Sequence, residues 1–230
     1  MIEKFISFIK RHYREILILI FVILFLEIAE NVLAKEIMER DIKGYYYISK
    51  YLINDTITPI AKVITQFGGP IVIVLLAICS SLYFRDKKIA FSIFLNLGLV
   101  GLINQGLKRI VQRPRPIEYR IIDERGYSFP SGHSMGSMAF YGFLIYLIYK
   151  KVNNTKIKIT EIVLLSILIV LIGMSRIYLG VHYTSDVLAG FFLTIAYLVL
   201  YTGIIDDYIG TNRVIWPNFK RTKENKEEQK

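Results

Sequence analysis

The chain has 230 residues, is 53% hydrophobic and carries a formal net charge of +10. Its apolar residues are gathered into long runs and its mean hydropathy is +0.43, which excludes an ordinary water-soluble domain. Only one cysteine is present, so an intrachain disulfide is excluded as well.

The apolar runs predict an all-α, polytopic membrane protein with six transmembrane helices. Crossing the hydrocarbon takes about 20 mostly apolar helical residues, because a helix satisfies its own backbone hydrogen bonds without water. Alternating segments of strand length are absent, so helices are favoured. The predicted spans are residues 16–33, 59–84, 89–107, 132–149, 159–174 and 187–205. We expect residues 1–205 to form one domain, with a tail over 1–15, and residues 206–230 to form a charged C-terminal tail.

The positions of the basic residues predict how the chain is oriented. Lys and Arg accumulate in both terminal segments and in the connections after the second and fourth spans. Because cytoplasmic loops retain positive charge, both termini and these connections are assigned to the cytoplasmic side of the plasma membrane. The connections after the first, third and fifth spans are then outside. This division of the basic residues between two sides also disfavours nucleic acid as a partner.

The first two spans carry features that call for a structural interpretation. The first ends in a small-residue sequence at Ala34 that resembles a signal-peptide cleavage site, but cleavage would leave five spans, so retention is favoured. Glu27 and Glu30 fall near its outer end, where an interfacial or packing role is favoured over catalysis. In the second span, Gly68–Pro70 predicts a kink or a close helix approach, and Cys79 is interpreted as core filler.

A first cluster of charge lies between the third and fourth spans, on the side where cations are disfavoured. An anionic ligand explains this placement, and an inverted orientation is the alternative. Lys offers a point charge and Arg a planar fork for phosphate oxygens, while Pro114 and Pro116 restrain the loop. The basic residues concerned are Lys108, Arg109, Arg113, Arg115, Arg120 and Arg125.

A second cluster, Phe129–His133, opens the fourth span. Ser131 is a predicted N-cap, and the free N–H groups of a first helical turn form an anion site. His133, one of three histidines, would stand beside that anion, with a hydrogen-bonded interfacial histidine as the alternative.

A third cluster joins the fifth and sixth spans. If the sixth helix begins at His182, Asp186 lies one turn on and can hold the imidazole so that its other nitrogen attacks. Arg176 falls off that face, so Gly180 is predicted to mark a turn. An interfacial His–Asp pair without catalysis is the alternative.

Taken together, these clusters resemble the type 2 phosphatidic acid phosphatase (PAP2) family. The motifs Lys-x6-Arg-Pro, Pro-Ser-Gly-His and Ser-Arg-x5-His-x3-Asp occur in order and unbroken, at Lys108/Arg115/Pro116, Pro130–His133 and Ser175/Arg176/His182/Asp186. Three ordered blocks make an accidental match improbable. Among subfamilies the chain is most similar to bacterial membrane enzymes that act on phosphatidylglycerophosphate or undecaprenyl pyrophosphate.

The resemblance implies a role for each motif residue. His182 is the nucleophile that forms a phosphohistidine, Asp186 orients it, and His133 is the general acid and then the base. The implied phosphate-binding residues are Lys108, Arg115, Ser131, Gly132 and Arg176. No metal and no cofactor are implied, because the cations fulfil that role.

Lipid phosphates in the bilayer are the expected partners, with phosphatidic acid as a further substrate, and the active site is expected at the outer membrane interface. A lipid phosphotransferase with the same site is an alternative, as is a transporter that binds a headgroup without cleaving it. The sequence leaves the oligomeric state open.

Overall fold

The computed structural model describes residues 2–35, 39–118 and 120–210, apart from the side chains of residues 2–5 and 49. Regular structure within these ranges is entirely helical, in agreement with the predicted all-α class. The helices are α1 (Ile2–Leu33), α2 (Glu39–Tyr51), α3 (Ile57–Gln66), α4 (Pro70–Phe84), α5 (Lys87–Val111), α6 (Gly132–Lys151), α7 (Thr155–Tyr178) and α8 (Thr184–Ile205). Most of the predicted C-terminal tail, from residue 211 onward, lies outside the described residues.

Within the described ranges, four helices are individually long and apolar enough to cross a membrane: Ile6–Leu33 of α1, then α5, α7 and α8. The pair α3 and α4 passes the same test together, bent by 55°. The predicted fourth span, α6, is not among them. It packs against α4, α5, α7 and α8, so its small and polar residues face other helices where a lipid-facing helix needs apolar ones.

The structure differs from the sequence interpretation at three places outside the site. The first helix begins at Ile2, so residues 2–15 of the expected tail over 1–15 are helical, with one non-helical residue at His12 (φ −116°, ψ 19°). The amphipathic helix α2 falls in a connection where no helix was predicted. Cys79 is exposed on α4, so its interpretation as core filler is wrong: α4 turns this face outward. Glu27 and Glu30 are exposed on α1.

The glycine-proline break in the second span is confirmed, both as a bend and as a close approach. Pro70 is the first residue of α4, and Gly69 before it is extended (φ −74°, ψ 147°). A Cβ added at Gly68 would lie 2.5 Å from Ile172 Cγ2 and 3.2 Å from His133 Cδ2. Only glycine therefore lets α7 and α6 pack so tightly against the bend.

The core of the bundle lies between α6, α7 and α8, with α4 and α5 contributing buried residues to it. Buried apolar side chains fill it, including Phe140, Phe143, Leu147, Ile172, Leu198 and Tyr201. Hydrogen bonds cross between helices: Asn96 Nδ2 donates to the Ala139 carbonyl at 2.7 Å, and Tyr201 OH donates to the Ser92 carbonyl at 2.6 Å. At one end of the bundle Lys150 forms an ion pair with Asp206 at 3.1 Å. The motif residues gather at the opposite end.

Candidate active site

The three sequence motifs lie around one cavity of about 760 Å³ at the end of the bundle opposite the Lys150–Asp206 pair. It is bounded by the C-terminal end of α5, the loop over 112–131, the first turn of α6 and the connection between α7 and α8. Its lining includes both motif histidines, His133 and His182, with Lys108, Arg115 and Gly132. The structure thus brings together residues separated by more than seventy positions in the chain.

The first turn of α6 is built as the sequence predicts. Ser131 is the N-cap, and its Oγ accepts hydrogen bonds from Ser134 N at 3.3 Å and from Ser134 Oγ at 2.9 Å. Because the Ser131 side chain is fully buried in this capping role, Gly132 and His133 are the residues of this motif that line the cavity. The N–H groups at the start of a helix have no carbonyl four residues back, so they favour an anion here.

His182 does not begin the last helix, the condition under which the sequence placed it on one helical face with Asp186, but lies in the connection before that helix. The turn predicted at Gly180 is confirmed by its φ of +73°, and α8 begins at Thr184. Asp186, in the first turn of α8, still reaches back to the imidazole, with its Oδ2 3.3 Å from His182 Nδ1 and accepting from Tyr183 N at 2.9 Å. The capping geometry of α8 therefore achieves what a shared helical face was expected to provide.

The neighbours of His182 fix its tautomer. Its Nε2 lies 2.9 Å from Arg115 Nη1, and a guanidinium can only donate. Nε2 therefore carries the lone pair, and Nδ1 carries the hydrogen that is donated to Asp186. Burial lowers the pKa of His182 to about 4, against the raising effect of Asp186. At neutral pH the imidazole is uncharged, with the nitrogen required of a nucleophile directed toward the cations.

Arg115 is held by the protein backbone. Its Nε donates to the Gly126 carbonyl at 3.0 Å, Nη1 to the Val181 carbonyl at 3.0 Å and Nη2 to the Arg125 carbonyl at 3.2 Å. Lys108, at the end of α5, donates to the Tyr127 carbonyl. Two of the predicted phosphate-binding cations are thus positioned before any substrate arrives, which reduces the cost of reorganisation during a reaction.

Arg176 has a partner, Glu124, that no motif in the sequence predicts. Its Nη1 donates to Thr65 Oγ1 at 2.7 Å, and its Nη2 forms an ion pair with Glu124, which lines the cavity. Burial alone would raise the pKa of Glu124, but Arg176 more than offsets it and holds the pKa below its ordinary value. The ionised carboxylate of Glu124 therefore pairs with one end of the Arg176 guanidinium, which was predicted to bind phosphate. The signal in the sequence was an acidic residue within a strongly basic loop that also carries Glu118 and Asp123.

Arg113 was expected to contribute to an anion site, and the structure contradicts this. Its guanidinium contacts two buried carboxylates: Nη1 lies 2.7 Å from Asp186 Oδ1, and Nη2 lies 2.8 Å from Asp41 Oδ2. Both ends of its fork are used, so Arg113 supports the His–Asp pair from behind. Among the remaining basic residues of this loop, Arg109 and Arg125 line the cavity, and Arg120 donates to the Pro116 carbonyl at 2.9 Å.

The family model described as the PAP2 superfamily matches residues 89–209, which include every motif residue above. The chain belongs to the PAP2 superfamily. It is 31% identical over 163 residues to phosphatidylglycerophosphatase B of Bacillus subtilis, covering 70% of this chain and 79% of that protein. It is 31% identical over 141 residues to dolichyldiphosphatase 1 of Dictyostelium discoideum and 34% identical over 113 residues to sphingosine-1-phosphate phosphatase 1 of Rattus norvegicus. These matches cover 61% and 26% of the two relatives.

Solved structures with the same fold extend this relationship. The PAP2-type phosphatidylglycerolphosphate phosphatase of Bacillus subtilis superposes with a TM-score of 0.69 at 28% identity, covering 86% of this chain and 98% of that one. Aquifex aeolicus LpxE shares the fold, with a TM-score of 0.57 at 22% identity, covering 71% of this chain and 96% of that one. The chain is thus a multi-pass membrane protein of the PAP2 lipid phosphatase family and a phosphoric ester hydrolase.

Proposed function

We propose that this PAP2 protein removes the terminal phosphate from membrane lipids, as a monoester or a diphosphate, through a phosphohistidine at His182. The observation that carries the proposal is the double anchoring of one imidazole: Nδ1 on Asp186 at 3.3 Å and Nε2 beside Arg115 at 2.9 Å. The neutral ring directs its lone pair at the Arg115 guanidinium, so a phosphate group bound by Arg115 would bring its phosphorus atom close to Nε2.

In the first step, His182 Nε2 attacks phosphorus and the bond to the lipid oxygen breaks. His133, which lines the same cavity and starts the cycle protonated, donates a proton to that departing oxygen. The phosphorylated ring becomes positively charged, and Asp186 stabilises that charge. Charge on the phosphoryl oxygens is neutralised by Lys108, Arg115 and Arg176, aided by the N-terminus of α6 with Ser131 as cap and the Gly132 N–H as donor.

In the second step, water attacks the phosphohistidine. His133, left neutral by the first step, accepts a proton from that water, and the bond between Nε2 and phosphorus breaks. Inorganic phosphate leaves, His182 regains its lone pair, and His133 is again protonated. The cycle balances without a net proton change on the two histidines.

Six membrane crossings complete the proposed arrangement, with α6 added to the five candidate spans. Its 20 residues extend about 30 Å at the usual rise per residue, enough to cross the hydrocarbon. Retention of positive charge in the cytoplasm then puts both termini inside and the cavity at the outer surface. A lipid can keep its tails in the bilayer while its headgroup reaches the histidines.

The cavity supports a lipid substrate, because apolar residues of α4 and α5, including Ile73, Val74, Leu97 and Leu102, line it beside the cations. Phosphatidylglycerophosphate is the first substrate to test, given the extensive similarity to phosphatidylglycerophosphatase B. Phosphatidic acid and undecaprenyl pyrophosphate share the same terminal phosphate chemistry.

The test is phosphate release by the purified full chain in detergent, across these three lipids and a short water-soluble phosphate ester. We expect release from the long-chain lipids to exceed that from the soluble ester, and His182→Ala to abolish it. A new phosphodiester without free phosphate would indicate a phosphotransferase, and headgroup binding without cleavage would indicate a transporter. Full activity of the His182→Ala protein would refute the nucleophile assignment.

A further inference from the structure

Asp41 is a buried carboxylate on a helix that is otherwise largely exposed. Its side chain is 1% exposed, whereas its neighbours Arg40, Ile42 and Lys43 on α2 are exposed. Both carboxylate oxygens are bonded to the start of α8, with Oδ1 accepting from Ser185 N at 2.8 Å and Oδ2 from Ser185 Oγ at 2.6 Å. Burying a charge is costly unless it is paired, so the position calls for a cation.

That cation is Arg113, which joins Asp41 to the catalytic pair. The guanidinium lies between Asp41 Oδ2 at 2.8 Å and Asp186 Oδ1 at 2.7 Å, with its carbon 4.2 Å from the centre of the Tyr183 ring. Burial would lower the pKa of Arg113, but Asp186 and Asp41 together hold it above its ordinary value. A row of charged side chains, Asp186, Arg113 and Asp41, therefore leads away from the neutral imidazole of His182.

The signs in this row match the chemistry proposed for His182. Asp186 is fully buried and lies beside two groups that carry positive charge. Its Oδ1 contacts Arg113, and its Oδ2 faces the ring of His182, which is positive once phosphorylated. One carboxylate cannot balance both. With Asp41 present, Arg113 has its own counter-charge, and Asp186 remains available to the positively charged ring.

We propose that Asp41 and Arg113 are positioning residues that set the effective charge of Asp186 and thereby the ease with which His182 carries positive charge. The inference rests on the proposed function, because it requires His182 to react. Neither residue belongs to the signature motifs that define the family resemblance.

Other charged groups also face His182, and they are common to every variant below. Arg115 and Arg176 lower its pKa, and His133 and Glu124 border the same cavity. Lys108 interacts electrostatically with Asp186, and Tyr183 lies against Arg113. On α2 the remaining charges point outward, with Glu39 and Lys43 paired at 2.5 Å in solvent. Differences between variants therefore isolate the two residues in question.

The experiment measures kcat/KM against pH for the full chain and for Asp41→Asn, Arg113→Gln and the double variant. The acidic limb reports protonation of His182 in the free enzyme, because a protonated imidazole cannot attack. In Asp41→Asn the unbalanced Arg113 disfavours the charged ring, so the limb moves to lower pH. In Arg113→Gln the guanidinium no longer neutralises the charge of Asp186, which then favours the charged His182 ring, so the limb moves to higher pH. Shifts of about half to one pH unit are expected, and the double variant should return toward the parent.

Matched controls separate this effect from general destabilisation. Glu39→Gln removes the same charge from the exposed side of α2 and should leave the limb in place. Arg113→Lys keeps the positive charge but not the planar guanidinium, so its acidic limb should stay near that of the parent. This comparison with Arg113→Gln remains available if Asp41→Asn fails to fold. At neutral pH, Asp41→Asn should lower kcat about tenfold with little change in KM, because the charged intermediate loses support.

Unchanged limbs in active variants, or shifts in the same direction for both single variants, would overturn the inference, since a scaffold role predicts no opposite movement. Loss of the folded protein in both Asp41→Asn and Arg113→Gln would do so too. Absence of phosphate release by the parent, or activity in His182→Ala, would instead refute the proposed function. A parent active through His182 but with unmoved limbs refutes only the inference.

Discussion

Replacing Asp186 with asparagine keeps the shape of the side chain but reverses half of its hydrogen bonding. Asp186 Oδ1 accepts from Arg113 at 2.7 Å, and Oδ2 accepts from Tyr183 N at 2.9 Å and faces His182 Nδ1 at 3.3 Å. An asparagine has one acceptor oxygen, and the guanidinium is the strongest donor among these partners. The oxygen should therefore turn to Arg113, which leaves the amide NH2 against His182.

The imidazole would then be held in the wrong tautomer. Its Nδ1 would accept from the asparagine and its Nε2 would carry the hydrogen, so the nucleophilic lone pair would be lost and a second donor would oppose Arg115. A comparable tautomer reversal in a Ser-His-Asp enzyme costs about 10⁴ in kcat. Allowing for the weaker 3.3 Å contact here, we expect a fall of about 10³- to 10⁴-fold, or about 4 to 5 kcal/mol of barrier.

The assay is steady-state phosphate release together with the yield of acid-labile phosphoprotein in a rapid quench, which reports formation of the proposed phosphohistidine. Asp206→Asn is the matched control, because it makes the same substitution in an ion pair at the far end of the bundle, 3.1 Å from Lys150. That variant should lose thermal stability and keep its kcat. If Asp186→Asn retains kcat within tenfold of the parent, the assignment of the tautomer is refuted.

Three further predictions follow from the geometry of the cavity. Glu124→Gln should lower the inhibition constant of inorganic phosphate about fivefold, because a partly exposed ion pair of ~1 kcal/mol no longer competes for the cation; unchanged or weaker inhibition would contradict this. With the pKa of His182 lowered to about 4, kcat/KM should hold from neutral pH down to about 5 and fall below it as the ring is protonated. A limb centred near pH 6.5 would count against that burial. Gly68→Ala should cut kcat about tenfold, since its Cβ would lie 2.5 Å from Ile172 Cγ2, whereas Gly106→Ala, with open space around it, should be silent.

Local chemistry made much of the candidate site predictable from the sequence. Ser131 is a favoured N-cap residue, and the structure uses it as one. Gly180 adopts a positive φ that only glycine takes easily. The segment Gly68–Pro70 interrupts a helix, because proline has no backbone N–H to donate and glycine adds flexibility. Each of these depends on residues within a few positions of one another, and the periodicity of a helix or turn is enough to read them.

Partners that are distant in the chain could not be read in this way. Asp41 and Ser185 are 144 residues apart, and no helical periodicity connects them. Arg113, like Arg115, immediately precedes a proline in a basic loop, and the motif spacing that selects Arg115 does not predict that Arg113 turns toward two carboxylates. The weak apolarity of α6 likewise reflects burial among other helices, which a hydropathy pattern cannot distinguish from exposure to water.

The break between α3 and α4 leaves the Phe67 carbonyl outside the helical ladder, and Tyr141 of α6 donates its hydroxyl to it at 2.8 Å. In hydrocarbon a stranded carbonyl has no water to turn to, so the bend keeps its form only while α6 remains seated beside it. Tyr141 lies about two turns along the same helix from His133. Tyr141 therefore ties the bend that begins α4 to α6, the helix that carries His133, so a change at the bend should be felt at that histidine.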